Sequence, residues 1–348
     1  MRHWPELARG WVPPAGWGRI LTVDAHAAGE PLRVILGGFP GLEGDSILAR
    51  RRDARLRHDG FRTALMWEPR GHPDMYGCLV VPPVTAGADL GVLFTHNEGY
   101  STMCGHGIIA VTTVVLELGL LPRREGENRV GIDTPAGFVE AWGRVVDGRV
   151  ASVSFVNVPS FVAELDREVD VPGLGRVRYD VAFGGAFYAF VDAPSLGLEL
   201  VPGAVGRLIE VGRAIKAAVA AAGQPSHPLD PDLGFLYGTI FVGPPADPAS
   251  HSRNVCVFAD GEVDRSPTGT GVSARLALHH ARGEVVEGQE IRIESILGTT
   301  FTGRVVGTTR VGPHAAVIPW VAGSAHITGR SEWVLDPADP LKDGFLLR

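Results

Sequence analysis

Two stretches of this chain place a side chain able to do chemistry directly before glycines and a run of small and apolar residues. The first is Glu98-Gly-Tyr-Ser-Thr-Met-Cys104-Gly-His-Gly-Ile-Ile-Ala110, and the second is Asp264-Arg-Ser-Pro-Thr268-Gly-Thr-Gly-Val-Ser-Ala274. They share the pattern Cys/Thr-Gly-His/Thr-Gly-x-x-Ala, which points to a duplicated fold with one shared site. Each reads as a helix N-terminus, where the first backbone N–H groups lack partners and the macrodipole is positive. Glycines there let the backbone close around an anion such as a carboxylate. In that field the thiolate of Cys104 is favoured, which suits it as a base or nucleophile near neutral pH. Thr268 does not ionise usefully, so a site built with two acid/base positions would keep one and have only a hydrogen-bonding group at the other.

Those two turns need strands and helices to carry them. Residues 20–24 and 32–37 read as strands, and 46–62 as a helix rich in arginine, a solvated face by default although a basic helix also suits an acidic partner. Residues 75–81 and 90–96 are strands leading to the Cys104 loop. The following run, Ile108, Ile109, Val111, Thr112, Val115 and Leu116, is apolar nearly all round, as in a helix buried on every side, and Gly119 and Pro122 end it. From 130 to 191 short alternating runs separated by Asp147-Gly148 and Gly184-Gly185 predict antiparallel hairpins. An amphipathic helix over 205–223 follows, then strands at 235–242 and 254–258 and the Thr268 turn. Pro267 suits a first helical turn, which places Thr268 inside the helix running to about Gly283. The tail from 291 to 333 is again β.

The chain has 348 residues, 45% hydrophobic and 20% charged, enough for two cores of ordinary size. A net charge of −7 argues against nucleic acid or an anionic membrane surface as partner. Met1–Gly18 holds three tryptophans and three prolines but no continuous apolar core, so it does not read as a signal peptide, and no run reaches membrane-spanning length. Cys78, Cys104 and Cys256 have neither metal nor disulfide spacing, and a reducing cytoplasm is expected.

The stretches Glu68-Pro-Arg-Gly-His72, Asp74-Met-Tyr-Gly77, His96 to His106, Gly184-Gly-Ala-Phe-Tyr188, Asp264 to Gly271 and Asp343-Gly-Phe345 resemble the proline racemase family, most of all its trans-3-hydroxy-L-proline dehydratase branch. In the racemases and epimerases two cysteines face each other across the substrate; Thr268 stands where the second would be, the mark of the dehydratases. Ala27 departs from a threonine usual in the family. The resemblance implies an α+β fold like that of diaminopimelate epimerase, with two pseudo-symmetric β-rich lobes each wrapped around a central apolar helix and the site in the cleft between them. The lobes are expected at 17–180, completed by 327–348, and at 181–326. A homodimer is implied at family level.

The expected activity is dehydration of trans-3-hydroxy-L-proline to Δ1-pyrroline-2-carboxylate without cofactor or metal. Cys104 is the base and Thr268 its counterpart. Gly105, His106, Gly269 and Thr270 bind the substrate, the glycines and Thr270 through backbone N–H groups, and Asp264 holds its ammonium. The plainer readings are a buried structural thiol, a core histidine, a capping aspartate and ordinary turn glycines. A zinc site of His72, His96 and His106 lacks recognisable ligand spacing. Gly269-Thr-Gly-Val-Ser-Ala274 also fits a dinucleotide motif, but Asp264–Pro267 intervenes and the flanks read as antiparallel. The rivals are a hydroxyproline or proline epimerase, a non-catalytic imino-acid binding protein and a phosphate or nucleotide binder.

Overall fold

The computed structural model describes residues 4–347; Met1–His3 and Arg348, the outermost parts of the N-terminal stretch and of segment 327–348, lie outside the described residues. After helix α1 (Trp4–Gly10), the chain forms β1 (Gly18–Ala27), β2 (Glu30–Gly37), α2 (Ile47–Arg57), α3 (Asp59–Met66), β3 (Gly77–Val81), β4 (Leu90–Thr95), α4 (Gly105–Glu117), β5 (Gly126–Thr134), β6 (Gly137–Val146) and β7 (Arg149–Val156). Then come β8 (Ser160–Val171), β9 (Gly175–Phe183), β10 (Phe187–Asp192), α5 (Val205–Ala222), β11 (Leu236–Gly243), β12 (Ser252–Phe258), β13 (Glu262–Val263), α6 (Gly269–Ala281), β14 (Ile291–Glu294), β15 (Thr300–Val311), β16 (His314–Gly323) and β17 (Ala325–Leu335).

The pairings repeat. In the first half β17 pairs antiparallel with β1 and β1 with β2; β2 runs parallel to β3, β3 antiparallel to β4, β4 parallel to β5, and β5, β6 and β7 form antiparallel hairpins. In the second half β8, β9 and β10 are antiparallel, β10 is parallel to β11, β11 antiparallel to β12, β12 parallel to β14, and β14, β15 and β16 antiparallel. The order of parallel and antiparallel steps is the same. A parallel pair needs a crossover; α4 supplies it between β4 and β5, and α6 between β12 and β14. The result is two pseudo-symmetric β-rich lobes, each curled around one helix. Strand β16 joins them: it pairs with β7, and through Ala316 with Phe161 and Val317 with Ser160 it pairs with β8.

Both central helices are buried on every side, α4 through a nearly all-apolar sequence and α6 with the polar Thr270, Ser273 and Arg275 buried among its small and apolar residues. Every residue from Gly105 to Leu116 is buried in α4, and every residue from Gly269 to Leu278 in α6. Helix α4 packs against β1, β2, β6, β7, β16 and β17, and α6 against β8, β9, β15 and β16. Among the described residues no helix is long and apolar enough to cross a membrane.

Three expectations change. The helix expected over 46–62 breaks at His58 into α2 and α3, and its arginines are not all solvated. Arg51 is buried and donates to the Tyr100 carbonyl, while Arg62, also buried, donates to the carbonyls of His96 and Asn97. These two cations fix the loop that leads to Cys104. Finally, β12 and β14, which flank the Thr268 turn, are parallel rather than antiparallel. Periodicity along one strand says nothing about the direction of its neighbour.

Candidate functional site

The two glycine turns meet. The N-termini of α4 and α6 abut, Gly105 against Gly269. The cavity at that junction is lined by Cys104, Gly105, His106, Asp264, Thr268, Gly269 and Thr270, together with Met103, Tyr76, Tyr188, Tyr237 and Phe258. All seven residues singled out from the sequence therefore share one site. Its free volume is about 10 Å³, room for roughly one water molecule.

Cys104 is the N-cap of α4, and its Sγ accepts the N–H of Gly107 at 3.2 Å. The helix field was expected to favour the thiolate, but burial dominates and pushes the thiol well above its usual range, against the pull of the Gly107 N–H and with Asp264 nearby adding to the rise. A thiol in an apolar pocket keeps its proton because the anion loses its hydration. Beside it, His106 Nδ1 lies 3.1 Å from Sγ. Burial lowers the pKa of His106, against the opposing pull of Asp264 and of the Pro31 backbone. A neutral imidazole with its proton on Nε2 could accept from the thiol at Nδ1.

Thr268 caps α6 from outside the helix, where the sequence had placed it within the first turn. Its φ is +63°, rare for a β-branched residue, and its N–H goes to Ser266 Oγ at 3.1 Å. Its hydroxyl is buried and, among the described residues, has no hydrogen-bond partner, which is costly unless a ligand supplies one. The turn before it is locked: Asp264 Oδ1 accepts the Ser266 N–H at 2.7 Å, and the Arg265 N–H goes to Glu30 Oε2 at 2.6 Å.

Among the described residues, Asp264 is the one Asp, Glu, Lys or Arg lining the cavity. The N–H groups of Gly105, His106, Gly269 and Thr270 are those that a helix leaves unpaired, and no side chain caps α6. The cavity thus offers an anion cradle on the helix ends, a carboxylate, a thiol beside an imidazole, and an unpartnered hydroxyl. Gly269, at the opening of the dinucleotide-like motif, is in backbone contact with Gly105.

Sequence reasoning missed the aromatic wall. Tyr188 Oη lies 2.7 Å from Thr270 Oγ1, and Tyr76 Oη lies 2.6 Å from Ser101 Oγ and 3.4 Å from Tyr237 Oη. Tyr76 and Tyr188 fall inside motifs already picked out, Asp74-Met-Tyr-Gly77 and Gly184-Gly-Ala-Phe-Tyr188, and were legible there. Tyr237 and Phe258 carried no signal. Glu30 was also missed: it is fully buried, and burial together with nearby Asp264 raises its pKa well above the carboxylate range.

A trans-3-hydroxy-L-proline dehydratase of Colwellia psychrerythraea is 47% identical over 341 residues, 97% of this chain and 96% of the relative. A 3-hydroxyproline 2-epimerase of Burkholderia multivorans is 49% identical over 94% of this chain and 98% of its own length. The crystal structure of a hydroxyproline epimerase from Agrobacterium vitis with bound trans-4-hydroxy-L-proline superposes with a TM-score of 0.92 at 36% identity, covering 96% of both chains. The proline racemase family model matches residues 22–346, and the chain belongs to the proline racemase family.

Proposed function

We propose that this chain is a trans-3-hydroxy-L-proline dehydratase, a hydro-lyase that forms Δ1-pyrroline-2-carboxylate. The observation that carries the reading is the asymmetry of the site: a thiol caps one helix, while the N-cap position of the other holds a threonine whose hydroxyl has no partner among the described residues. The substrate carboxylate lies across the N–H groups of Gly105, His106, Gly269 and Thr270, and its ammonium faces Asp264. Negative charge developing on the carboxylate is stabilised by those fixed donors, so the reaction needs no cofactor as electron sink.

Cys104 passes its proton to His106 and, as thiolate, takes the α-proton. In trans-3-hydroxy-L-proline the α-hydrogen and the 3-hydroxyl lie on the same ring face, opposite the carboxylate. The thiol just formed therefore stands beside the leaving group and returns its proton to it: the C3–O bond breaks, water departs, and an enamine forms that tautomerises to the product. Thr268 covers the other ring face and offers no proton, which suppresses inversion.

Proton NMR in deuterium oxide tests this. The purified protein should convert trans-3-hydroxy-L-proline to Δ1-pyrroline-2-carboxylate and leave trans-4-hydroxy-L-proline undehydrated, and Cys104→Ser should lose about 10²–10⁴-fold in rate. Inversion at the α-carbon without water loss would overturn the reading in favour of a 3-hydroxyproline 2-epimerase, the second reading favoured by the similarity to the Burkholderia relative.

We place the lobe boundary near Asn157 rather than at residue 180, on the packing of β8 and β9 against α6 and of β8 against β16. The first lobe is then residues 18–156 completed by β17. A homodimer follows the family, and a cytoplasmic location suits three free cysteines.

A further inference from the structure

Behind the Thr268 turn runs a chain of buried polar groups that the reaction does not use. Asn254, on β12 and fully buried, donates from Nδ2 to the Pro267 carbonyl at 3.1 Å, the peptide group directly before Thr268. Its Oδ1 accepts from Arg275 Nη1 at 3.1 Å, and the same nitrogen donates to Ser252 Oγ. Arg275 lies on α6, is 4% exposed, and among the described residues donates to no carboxylate; its Nη2 lies 2.9 Å from His279 Nε2. His279 Nδ1 in turn meets Glu284, which is exposed. Neutral imidazole fits both contacts, with Nδ1 donating to the carboxylate and Nε2 accepting from the guanidinium.

A guanidinium is buried only at a cost, and here its hydrogen bonds go to neutral acceptors. One of those acceptors is fixed in the orientation that lets its amide hold Pro267. The carbonyl so held sits next to the backbone conformation that a threonine would not otherwise adopt. Asn254 also has a constrained amide: Arg275 can only donate, so the asparagine must face it with oxygen and the turn with nitrogen.

We propose that Asn254 and Arg275 are positioning residues that hold the Thr268 turn, keeping the threonine hydroxyl against the ring face opposite Cys104 and water away from that face. The proposal rests on the dehydratase reading. It assigns the pair a task in partition: with the turn held, the carbanion loses water; with the turn released, solvent reaches the second face and returns a proton there.

The test is Asn254→Asp, which keeps the acceptor for Arg275 and even gives it a counter-ion but removes the donor to Pro267. A conservative Arg275→Lys is the second variant. Each is incubated with trans-3-hydroxy-L-proline in deuterium oxide and followed by NMR, with thermal midpoints measured alongside. The expected result for N254D is a dehydration rate lower by about ten- to a hundredfold, the appearance of α-deuterated 2-epimer, and a thermal midpoint at or above that of the unaltered protein. A dehydration rate and epimer fraction equal to those of the unaltered protein in both variants would overturn the proposal, as would a loss of rate that tracks a fallen midpoint with no epimer. If the unaltered protein itself dehydrates nothing, the failure lies in the dehydratase reading; if it dehydrates and the variants partition as it does, the failure lies in the positioning role alone.

Discussion

A Cβ built on Gly105 would stand 2.5 Å from the Cα of Gly269, and one built on Gly269 would stand 2.7 Å from the Cα of Gly105. The two helix ends are thus in backbone contact, and each glycine exists for the other. This brings two sets of unpaired N–H groups within reach of one carboxylate, which neither helix alone presents.

Gly105→Ala has no flexible neighbour to displace, so the lobes must separate by part of an ångström. We expect a loss of stability of about 1–3 kcal/mol, in the range of overpacked cores, and a larger loss in kcat/KM through a rise in KM. Urea unfolding and steady-state kinetics read the two effects. An unchanged KM would show that the carboxylate is bound elsewhere.

Cys104 titrates above the usual thiol range because burial favours its neutral form. Alkylation by iodoacetamide, which needs the thiolate, should therefore be slow at pH 7 and keep rising beyond pH 9 in the ligand-free protein. Cys78 and Cys256 are also buried and shifted upward, Cys78 to a value above the accessible range, so they do not mask the profile. A plateau below pH 8, followed by mass spectrometry of the modified peptide, would show that the helix end outweighs burial after all.

Thr268→Cys places a second thiol at the N-cap of α6. With an acid on each ring face, the variant should epimerise trans-4-hydroxy-L-proline at its α-carbon, detected by chiral chromatography. Dehydration of the 3-hydroxy substrate should fall at the same time, as reprotonation competes with water loss.

Thr268→Gly should separate stability from activity. Glycine adopts φ +63° without strain and removes a buried hydroxyl that has no partner among the described residues. Both effects stabilise, and against the greater freedom of glycine when unfolded the net gain should be about 1 kcal/mol, measured by chemical denaturation. The dehydration rate should drop in the same protein.

Much of this was legible in the chain because the site is made of local motifs. Cys104, Gly105 and His106 are consecutive, as are Thr268, Gly269 and Thr270, and a helix start needs only a few residues to announce itself. The all-round apolar character of 108–116 likewise gave a buried helix. What stayed hidden depends on approach through space. Arg51 sits in a stretch of five arginines that reads as a solvated face, yet it alone of α2's arginines turns inward to the Tyr100 carbonyl. Asn254 lies in an ordinary strand pattern, and only folding brings it to Pro267. The fall of Cys104 out of the thiolate range is also a matter of surroundings, since the aromatic wall that dries the cavity comes from Tyr76, Tyr188, Tyr237 and Phe258, far apart in sequence.

Strand β17 adds its backbone to β1 along its full length, from Gly18 against Leu335 to Ala27 against Ala325. During synthesis on the ribosome, β1 emerges among the first strands and its partner among the last. Strands β8 to β16 follow one another without interruption, so that half can close while the other still shows an open edge, the kind of surface on which chains aggregate. Until β17 has emerged the thiol-bearing half-barrel stands ajar, and residues 325–335 act as its clasp.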